Sequence, residues 1–268
     1  MISKVNCLKM MLMGALLGMS AGCASTTEEG AIGVDRKQLM LVSSEQMQQV
    51  SADAYEKMKT EAKGKGQLDR NAAQVQRVQA VANRLIPQTG VFRKDAPGWK
   101  WEVHVMTSEE VNAFCMPGGK IMFYTGIIEK MKLTDGEIAA IMGHEMAHAL
   151  REHGREQMSR EMLKQYGVGM LVNFGVLNEN YAQMVDTVSA LTISLPHGRN
   201  QESEADEMGL ELMARAGYPP QDSVTLWQKM SQQGGGTLEI LSTHPSDEKR
   251  IARLQELIPK VQPLYHKM

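Results

Sequence analysis

The order of apolar and polar residues divides the chain into a helical start, a strand-rich centre and a helical end. From Ser44, apolar residues recur every three or four positions as far as the sequence KGKG at 63–66, which predicts a first helix. The same spacing predicts a second helix, which Asp69 is positioned to cap and Pro87 ends.

The centre of the chain has the shorter period of β-strands. In WKWEVHVM (99–106), Trp101, Val103 and Val105 alternate with polar neighbours, which is typical of a half-buried strand. His104 lies on the polar side of this strand and is interpreted as a surface histidine. The sequence KIMFYTG (120–126), which follows NAFCMPGG (112–119), predicts a second short strand bounded by glycines.

The remainder of the chain has helical patterns. TDGE (134–137) matches a capping box and predicts the start of a helix that contains IMGHEMAHALREHG (141–154). The apolar stretch GVGMLVNFGVL (167–177) is too short to span a bilayer and is interpreted as a buried helix or a mobile flap. Three further helices follow, in NQESEADEMGLELMARAG, in DSVTLWQKMSQQ and from SDEKRIARLQELI. We therefore predict one α+β domain over residues 44–268, mostly helical around a small β-sheet.

Residues 1–22 have the features of a secretory signal peptide of the lipoprotein type: Lys4 and Lys9, a short apolar run and the small residues of SAGCAS. Cleavage before Cys23 resembles bacterial lipoprotein processing, in which this cysteine is lipidated. Ser20 stands where that pattern usually has Leu, so ordinary secretion with an unmodified Cys23 is the alternative.

The expected location is the periplasm, with the lipid on Cys23 as an anchor in the outer membrane, since Ala24 after the cysteine resembles outer-membrane sorting. A soluble periplasmic protein is the alternative. Residues 23–43 are predicted to form a tether, and the small and polar residues of 24–34 predict that it is flexible.

Composition narrows the classes of function. The 268 residues are 43% hydrophobic, which is enough for one packed domain. The formal net charge of -2 argues against a nucleic-acid partner, because there is no basic excess to neutralise phosphates. Cys115 is the one cysteine within the predicted domain, which excludes a disulfide inside it. No separate catalytic histidine and acid accompany Cys115, so it is not expected to be a nucleophile.

The helix at 141–154 carries the candidate chemistry. His144 and His148 are four residues apart, which places both imidazoles on one helix face, separated by about 6 Å of rise, where they can bind one Zn²⁺. Glu145 is displaced around the helix, so that its carboxylate can reach a metal-activated water. His153 is nine residues from His144, on roughly the opposite side, and is predicted to be a surface residue.

A third protein ligand is expected downstream, in RNQESEADEMG (199–209). Glu202 would complete a His, His, Glu set, and Asp206, one turn later, could accept the free ring N–H of a ligand histidine. Glu204 is the competing ligand if the helix has a different register. The alternative for the whole stretch is an acidic, solvated helix face.

The motifs NAFCMPGGKIMFYTGII, GHEMAH, RNQESEAD and STHPSDEKRI occur in this order from about residue 112 onwards. Together they resemble the gluzincin metallopeptidases, and specifically the family of HtpX, the CAAX prenyl endoprotease, the mitochondrial Oma protease and the lipoprotein proteases LoiP and BepA. The resemblance runs from about residue 44 to the end of the sequence. The resemblance implies a zincin-like (mini-gluzincin) domain with one Zn²⁺ per chain. It assigns the metal ligands to His144, His148 and Glu202, the catalytic acid and base to Glu145, and the acid behind the ligands to Asp206. A membrane-spanning segment and a repeat extension of the BepA type are not expected.

His244, in THPSDEKR, has three possible roles: stabilisation of the oxyanion, a removable fourth zinc ligand as the resemblance to BepA implies, or a turn histidine before Pro245. Arg199 and Arg250 are expected to form structural salt bridges nearby. The strand KIMFY is expected to form the edge of the cleft, where an extended peptide could add as a further strand, and Asn112 and Ala113 are expected to line the same cleft.

The function expected from these residues and the resemblance is a zinc endopeptidase of the bacterial cell envelope. Its partners would be unfolded, misfolded or unassembled envelope polypeptides, and the membrane through the N-terminal lipid. The alternative is a non-proteolytic chaperone or assembly factor for outer-membrane proteins that uses the same cleft. Glu145 argues against pure binding, because a holding chaperone does not need a general base. A structural zinc protein fits less well, because closed structural sites prefer four Cys or His ligands.

Overall fold

The computed structural model describes residues 23–170, 181–232, 238–244 and 248–267. The predicted signal peptide, residues 1–22, lies outside these ranges, and so does most of the apolar stretch at 167–177. Within the described residues, no helix has the length and apolar character that crossing a membrane requires.

Helices dominate the described part of the chain. They are numbered here in chain order: α1 (Ser44–Gly64), α2 (Ala72–Leu85), α3 (Thr125–Lys130), α4 (Asp135–Leu150), α5 (His153–Met170), α6 (Tyr181–Ile193), α7 (Arg199–Arg215), α8 (Gln221–Gln232), α9 (Glu239–Thr243) and α10 (Glu248–Val261). The strands are β1 (Cys23–Ala24), β2 (Gln38–Leu39), β3 (Glu102–Met106), β4 (Ala113–Met116) and β5 (Lys120–Tyr124). Short 3₁₀ turns lie at Ile86–Val91, Ala96–Gly98 and Gln262–Leu264. The predicted α+β fold, mostly helical with a small sheet, is confirmed.

The main sheet is a thin layer between helices. Its three strands have the order β3-β5-β4, with β3 parallel and β4 antiparallel to β5. In β5, Ile121 and Phe123 belong to the main core with α2 and α4, whereas Met122 and Tyr124 pack with Tyr55 of α1 on the other face. Because both faces are covered, β5 is apolar from Ile121 to Phe123 instead of alternating with polar residues.

One sequence prediction about the sheet is wrong, and one strand was missed. KIMFY forms β5, which is the central strand and not the edge of a cleft, since it pairs with a strand on each side. The strand β4, formed by the residues AFCM, was not predicted, and it is the edge strand that packs against α4. The strand was missed because its four residues are all apolar, and a run without alternating polar residues has no period that distinguishes a strand from a loop.

Of the two predicted N-terminal helix caps, one is confirmed and one is wrong. Thr134 and Glu137 form both hydrogen bonds of a capping box at the start of α4, which confirms that prediction. The predicted cap at Asp69 is wrong: Asn71 accepts the hydrogen bond from the N–H of Gln74. Asp69 instead has a φ of 53° and accepts a hydrogen bond from the N–H of Val105, which joins it to β3.

The prediction of a flexible tether is wrong for residues 24–34. β1 pairs antiparallel with β2, and Ile32 and Val34 are buried in the main core. The side chain of Gln38 is fully buried and bonds to the carbonyl of Arg151. The composition of the segment is polar, but Thr26 and Thr27 bond to Arg151 of the domain, so part of its polar character is used in packing.

Candidate metal centre

The centre forms where α4 crosses α7, the two helices that pack most extensively on each other. A Cβ atom on Gly143 would lie 2.9 Å from the carbonyl oxygen of Gly209, and a Cβ on Gly209 would lie 2.7 Å from the backbone nitrogen of His144. The absence of side chains at these two positions lets the helix backbones approach closely. This approach brings the HExxH sequence of α4 next to the acidic residues of α7.

Four donor side chains converge at this crossing: His144, His148, Glu202 and His244, with their ligand atoms within 4.8 Å of one another. The Nε2 atom of His144 lies 3.1 Å from Nε2 of His148 and 3.5 Å from Oε2 of Glu202. Donor atoms about 2.1 Å from a tetrahedrally bound ion are separated by about 3.4 Å. The observed spacing therefore fits one tetrahedral metal ion, and the predicted convergence of the two helices is confirmed.

His244 takes the fourth place in this group. It ends α9, and its Nδ1 atom lies 3.0 Å from Oε1 of Glu202 and 3.1 Å from Nε2 of His144. Its other ring nitrogen lies 3.4 Å from Oε1 of Glu145. Because it is buried among the donors, the interpretation of His244 as a turn histidine apart from the site is wrong.

Glu145 is buried beside the donors, with 3% of its surface exposed. Its Oε1 atom has no hydrogen-bond partner among the described residues. Burial raises the pKa of this carboxyl group, and the nearby His244 and His144 only partly oppose that effect. A buried carboxyl group with a raised pKa and an oxygen that makes no hydrogen bond suits a group that takes up and releases a proton.

Burial and the neighbouring carboxylates have opposite effects on the pKa values of the two histidines. Burial lowers the pKa of His144, but hydrogen bonds with Asp206 and Glu202 outweigh this and raise the pKa to about 9. The pKa of His148 lies well below its ordinary value, chiefly because of burial. The histidine pair thus tends to keep one proton beside the carboxylates, in a position where a bound metal ion would supply the positive charge instead.

Asp206 has the place that the sequence predicted. Its Oδ1 atom lies 3.0 Å from Nδ1 of His144, on the side of the ring that faces away from the donor group. Arg250 bonds to both carboxylate oxygens of Asp206 at 2.7 and 2.8 Å, and it also lies 2.9 Å from Oε2 of Glu202. The predicted structural salt bridge of Arg250 is confirmed, whereas Arg199 is exposed at the start of α7.

Helix geometry alone placed His153 incorrectly, whereas Glu204 points away from the donor group, as the preferred helix register predicted. His153 is fully buried, with Nδ1 only 2.8 Å from Nδ1 of His148 and Nε2 3.0 Å from Oε2 of Glu204. α4 ends at Leu150 and a new helix begins at His153, so the angle of one continuous helix does not apply. Glu204 is not a metal ligand, because its carboxylate faces His153, Arg36 and Arg151.

His197 is a residue of the site that the sequence analysis missed. Its ring stacks on that of His148 with centroids 3.9 Å apart, and on that of His244 at 5.2 Å. Its backbone N–H donates to the carbonyl of Thr243, which ties the loop before α7 to the residue preceding His244. The only signal for it in the sequence is a histidine five residues before Glu202.

The other candidate residues lie around the centre. His104 is partly exposed and contacts Asp69, in agreement with a histidine near the surface. Asn112 and Ala113 are buried at the start of β4, and the side-chain oxygen of Asn112 accepts a hydrogen bond from the N–H of Ala113. Cys115 is buried, and burial raises the pKa of its thiol well above the ordinary value, which agrees with an inert side chain.

The comparison with known protein families decides the class of this site. The protein-family model described as "Peptidase family M48" matches residues 72–258 of the sequence, a range that contains all four donor residues and Glu145. The chain belongs to peptidase family M48. It therefore carries a zincin-like metallopeptidase domain, as the sequence motifs predicted.

Individual relatives agree with this family. The chain is 40% identical over 154 residues to the mitochondrial metalloendopeptidase OMA1 of Arabidopsis thaliana, covering 57% of this chain and 30% of the relative. It is 31% identical to human OMA1, over 84% of this chain and 45% of the relative. It is 23% identical to the metalloprotease LoiP of Escherichia coli, over 88% of this chain and 90% of the relative. The chain thus spans less than half the length of these two OMA1 relatives.

Proposed function

We propose that this M48 chain is a zinc-dependent endopeptidase of the bacterial cell envelope that hydrolyses misfolded or unassembled proteins. The observation that carries the catalytic part of the proposal is the unpartnered Oε1 atom of Glu145 beside the donor group. Two imidazoles and one carboxylate are a typical catalytic zinc set, which supports one Zn²⁺ per chain on His144, His148 and Glu202. When bound, the ion lowers the pKa of a water molecule and polarises the carbonyl of the substrate.

The protein side chains have separate tasks in this proposal. Glu145 accepts the proton of the attacking water and later delivers it to the leaving amine. Asp206 accepts the ring N–H of His144 and, clamped by Arg250, fixes the orientation of that imidazole. His244 fills the fourth donor position in the observed state and must move aside before a substrate carbonyl can enter.

The edge strand β4 is the proposed docking site for the polypeptide substrate. Among the residues that the structure describes, it pairs with a strand on one side only, and it packs against α4, which carries Glu145. An extended peptide added to β4 would be held by main-chain hydrogen bonds, which select weakly among sequences. Weak selection suits an enzyme for unfolded chains.

The compartment and the anchor are proposed from the start of the chain. The sequence around Cys23 supports lipidation and attachment to the outer membrane, with the ordinary secreted form as the alternative. The names of the OMA1 relatives place them in mitochondria, whereas LoiP is from Escherichia coli. Mass spectrometry of the purified mature protein would distinguish a lipidated Cys23 from a free one.

Casein digestion tests the proposed activity. We expect the zinc-loaded protein to cleave casein, a chelator to stop cleavage, and Glu145→Gln to abolish it while zinc remains bound, because the ligands are intact. Glu61→Gln, at an exposed position of α1, is the matched control and should cleave normally. If wild-type protein leaves casein intact but prevents its aggregation, the chaperone alternative is favoured and the peptidase proposal is wrong.

A further inference from the structure

His153 contacts the side of the His148 ring that faces away from the donor group. The two Nδ1 atoms are 2.8 Å apart, and the other ring nitrogen of His153 lies 3.0 Å from Oε2 of Glu204. Both histidines are buried, so water does not compete for these contacts. His153 thus bridges a proposed metal ligand and a carboxylate that the proposed mechanism does not use.

The positions of the ring nitrogens determine the direction of these hydrogen bonds. Nε2 of His148 faces His144 and Glu202, at 3.1 and 3.4 Å, so a metal ion would be bound through this atom. A neutral imidazole then carries its proton on Nδ1 and donates it. His153 therefore accepts at Nδ1, keeps its own proton on Nε2 and donates that proton to Glu204.

Glu204 is held in place by two arginines. Arg36 donates to both of its carboxylate oxygens, and Nε of Arg151 lies 3.1 Å from Oε2. Arg36 belongs to residues 25–38, which are named here the N-terminal segment. The same arginine bonds to Glu156 at 2.7 and 2.8 Å.

Arg151 is also fixed by the N-terminal segment. Its Nη1 atom donates to the hydroxyls of Ser25 and Thr27, both at 3.1 Å, and its Nη2 atom donates to the carbonyl of Arg36 at 2.7 Å. Arg151 has no exposed surface. Both arginines that bind Glu204 therefore depend on residues 25–38 for their position.

The two ligand histidines of α4 thus have analogous supports. His144 contacts the carboxylate of Asp206 directly, and Arg250 holds that carboxylate. His148 contacts the ring of His153, which in turn contacts the carboxylate of Glu204. We propose that His153 is a positioning residue that fixes the ring of His148, and that the N-terminal segment is part of the metal centre because it holds Glu204 through Arg36. This inference rests on the proposed metal centre.

Metal affinity measured by chelator competition, without substrate, tests the role of His153. Residues that orient a ligand histidine typically contribute 10- to 100-fold to metal affinity. We expect His153→Phe, which fills the space but cannot accept a hydrogen bond, to lower Zn²⁺ affinity by about that factor. His153→Gln offers an acceptor and a donor and should restore affinity to within about threefold of wild type. Equal affinity for wild type and His153→Phe would overturn the proposal.

A matched pair of variants tests the N-terminal segment. Arg36→Met removes the contacts to Glu204 and Glu156. Glu156→Gln removes the charge of Glu156, which also pairs with Arg160, and leaves the contacts between Arg36 and Glu204 in place. We expect Arg36→Met to weaken Zn²⁺ binding several-fold, within the range typical of outer contacts, and Glu156→Gln to leave the affinity unchanged. Equal losses in both variants would show a general effect on stability and would exclude the specific link through Glu204.

The tautomers of the histidines provide a test that needs no substitution. In the zinc-loaded full chain with ¹⁵N-labelled histidine, NMR should find the proton of His148 on Nδ1 and that of His153 on Nε2. A proton on Nδ1 of His153 would overturn the proposed direction of the hydrogen bonds even if a variant fails to fold. None of these measurements requires peptide hydrolysis, so a chain that binds zinc without cleaving casein would refute the proposed activity and leave this inference standing.

Discussion

The donor residues are held by buried partners and not by the helices alone. Arg250 clamps Asp206 behind His144, and Glu204 with His153 lies behind His148. Buried charges are stable only when they are paired and hydrogen-bonded, so each of these side chains constrains the next. Changes at single residues should therefore alter metal binding, catalysis and acid stability to different extents.

His244→Ala distinguishes the two roles that remain for that histidine, a removable fourth zinc ligand and a stabiliser of the oxyanion. In the observed state His244 occupies the fourth donor position, so we expect the variant to retain one Zn²⁺ per chain and to cleave casein faster than wild type. A residue that stabilises the oxyanion would instead lower the rate by about 10²-fold when removed. His266→Ala, at an exposed position, is the control for the loss of a histidine. Loss of zinc from His244→Ala would show that three ligands do not suffice.

Acid should weaken the contact between the N-terminal segment and the domain. Burial raises the pKa of Glu156 and of Glu204, but hydrogen bonds with Arg36, and for Glu204 also with His153, lower both pKa values to about 2. A depressed pKa in the folded state stabilises the protein above the unfolded pKa, and this contribution is lost as the pH falls towards 2. We expect the urea midpoint to fall between about pH 5 and pH 2, with a shallower dependence in Arg36→Met. Parallel curves for the two proteins would contradict this assignment.

The contact between α4 and α7 determines whether the ligand groups meet. Neither helix holds a complete site, since His144 and His148 belong to one and Glu202 to the other. The glycines at the crossing, Gly143 and Gly209, allow the short distance between the helix axes. The edge strand β4 then packs along α4, the helix that carries Glu145.

Gly209→Ala tests this helix contact. The new Cβ would lie 2.7 Å from the backbone nitrogen of His144, so the helices must move apart. We expect a loss of about 1–3 kcal/mol in the free energy of unfolding, together with weaker zinc binding. Gly64→Ala is the matched control, because a Cβ there meets no atom within 4 Å and alanine favours the helix. A fully stable Gly209→Ala protein with normal zinc affinity would contradict the close approach as the reason for glycine.

The metal centre is a property of the whole molecule. His144 and His244 are 100 residues apart in sequence and 3.1 Å apart between ring nitrogens. The donors lie on α4, on α7 and directly after α9, so these three helices must be packed together before the donors converge. The unfolded chain cannot offer this arrangement, so metal binding and folding are linked.

Zinc should therefore raise the melting temperature of the metal-free full chain. At a free zinc concentration about 100 times the Kd, the gain in free energy is about 2.7 kcal/mol, which corresponds to roughly 5–10 °C for a chain of this size. Calorimetry with and without zinc measures the shift. Glu202→Ala should show little shift, whereas the exposed control Glu61→Gln should behave as wild type. Equal shifts in wild type and Glu202→Ala would remove Glu202 from the ligand set.

The sequence by itself determined the chemistry and the local elements. The four-residue spacing of His144 and His148, the Glu202 to Asp206 spacing and the capping box at Thr134 depend only on helix geometry, which neighbouring residues define. The alternation in β3 is likewise local. These features predicted the class of fold and the three central donor residues.

Tertiary structure alone decided which remote groups surround those donors. The burial of His153, the stacking of His197 on His148 and the packing of residues 24–34 result from contacts between segments far apart in sequence. A polar segment such as 24–34 has the same composition whether water or a buried arginine satisfies its hydrogen bonds. The choice between the two depends on what lies opposite in space, and no local period of the sequence contains that information.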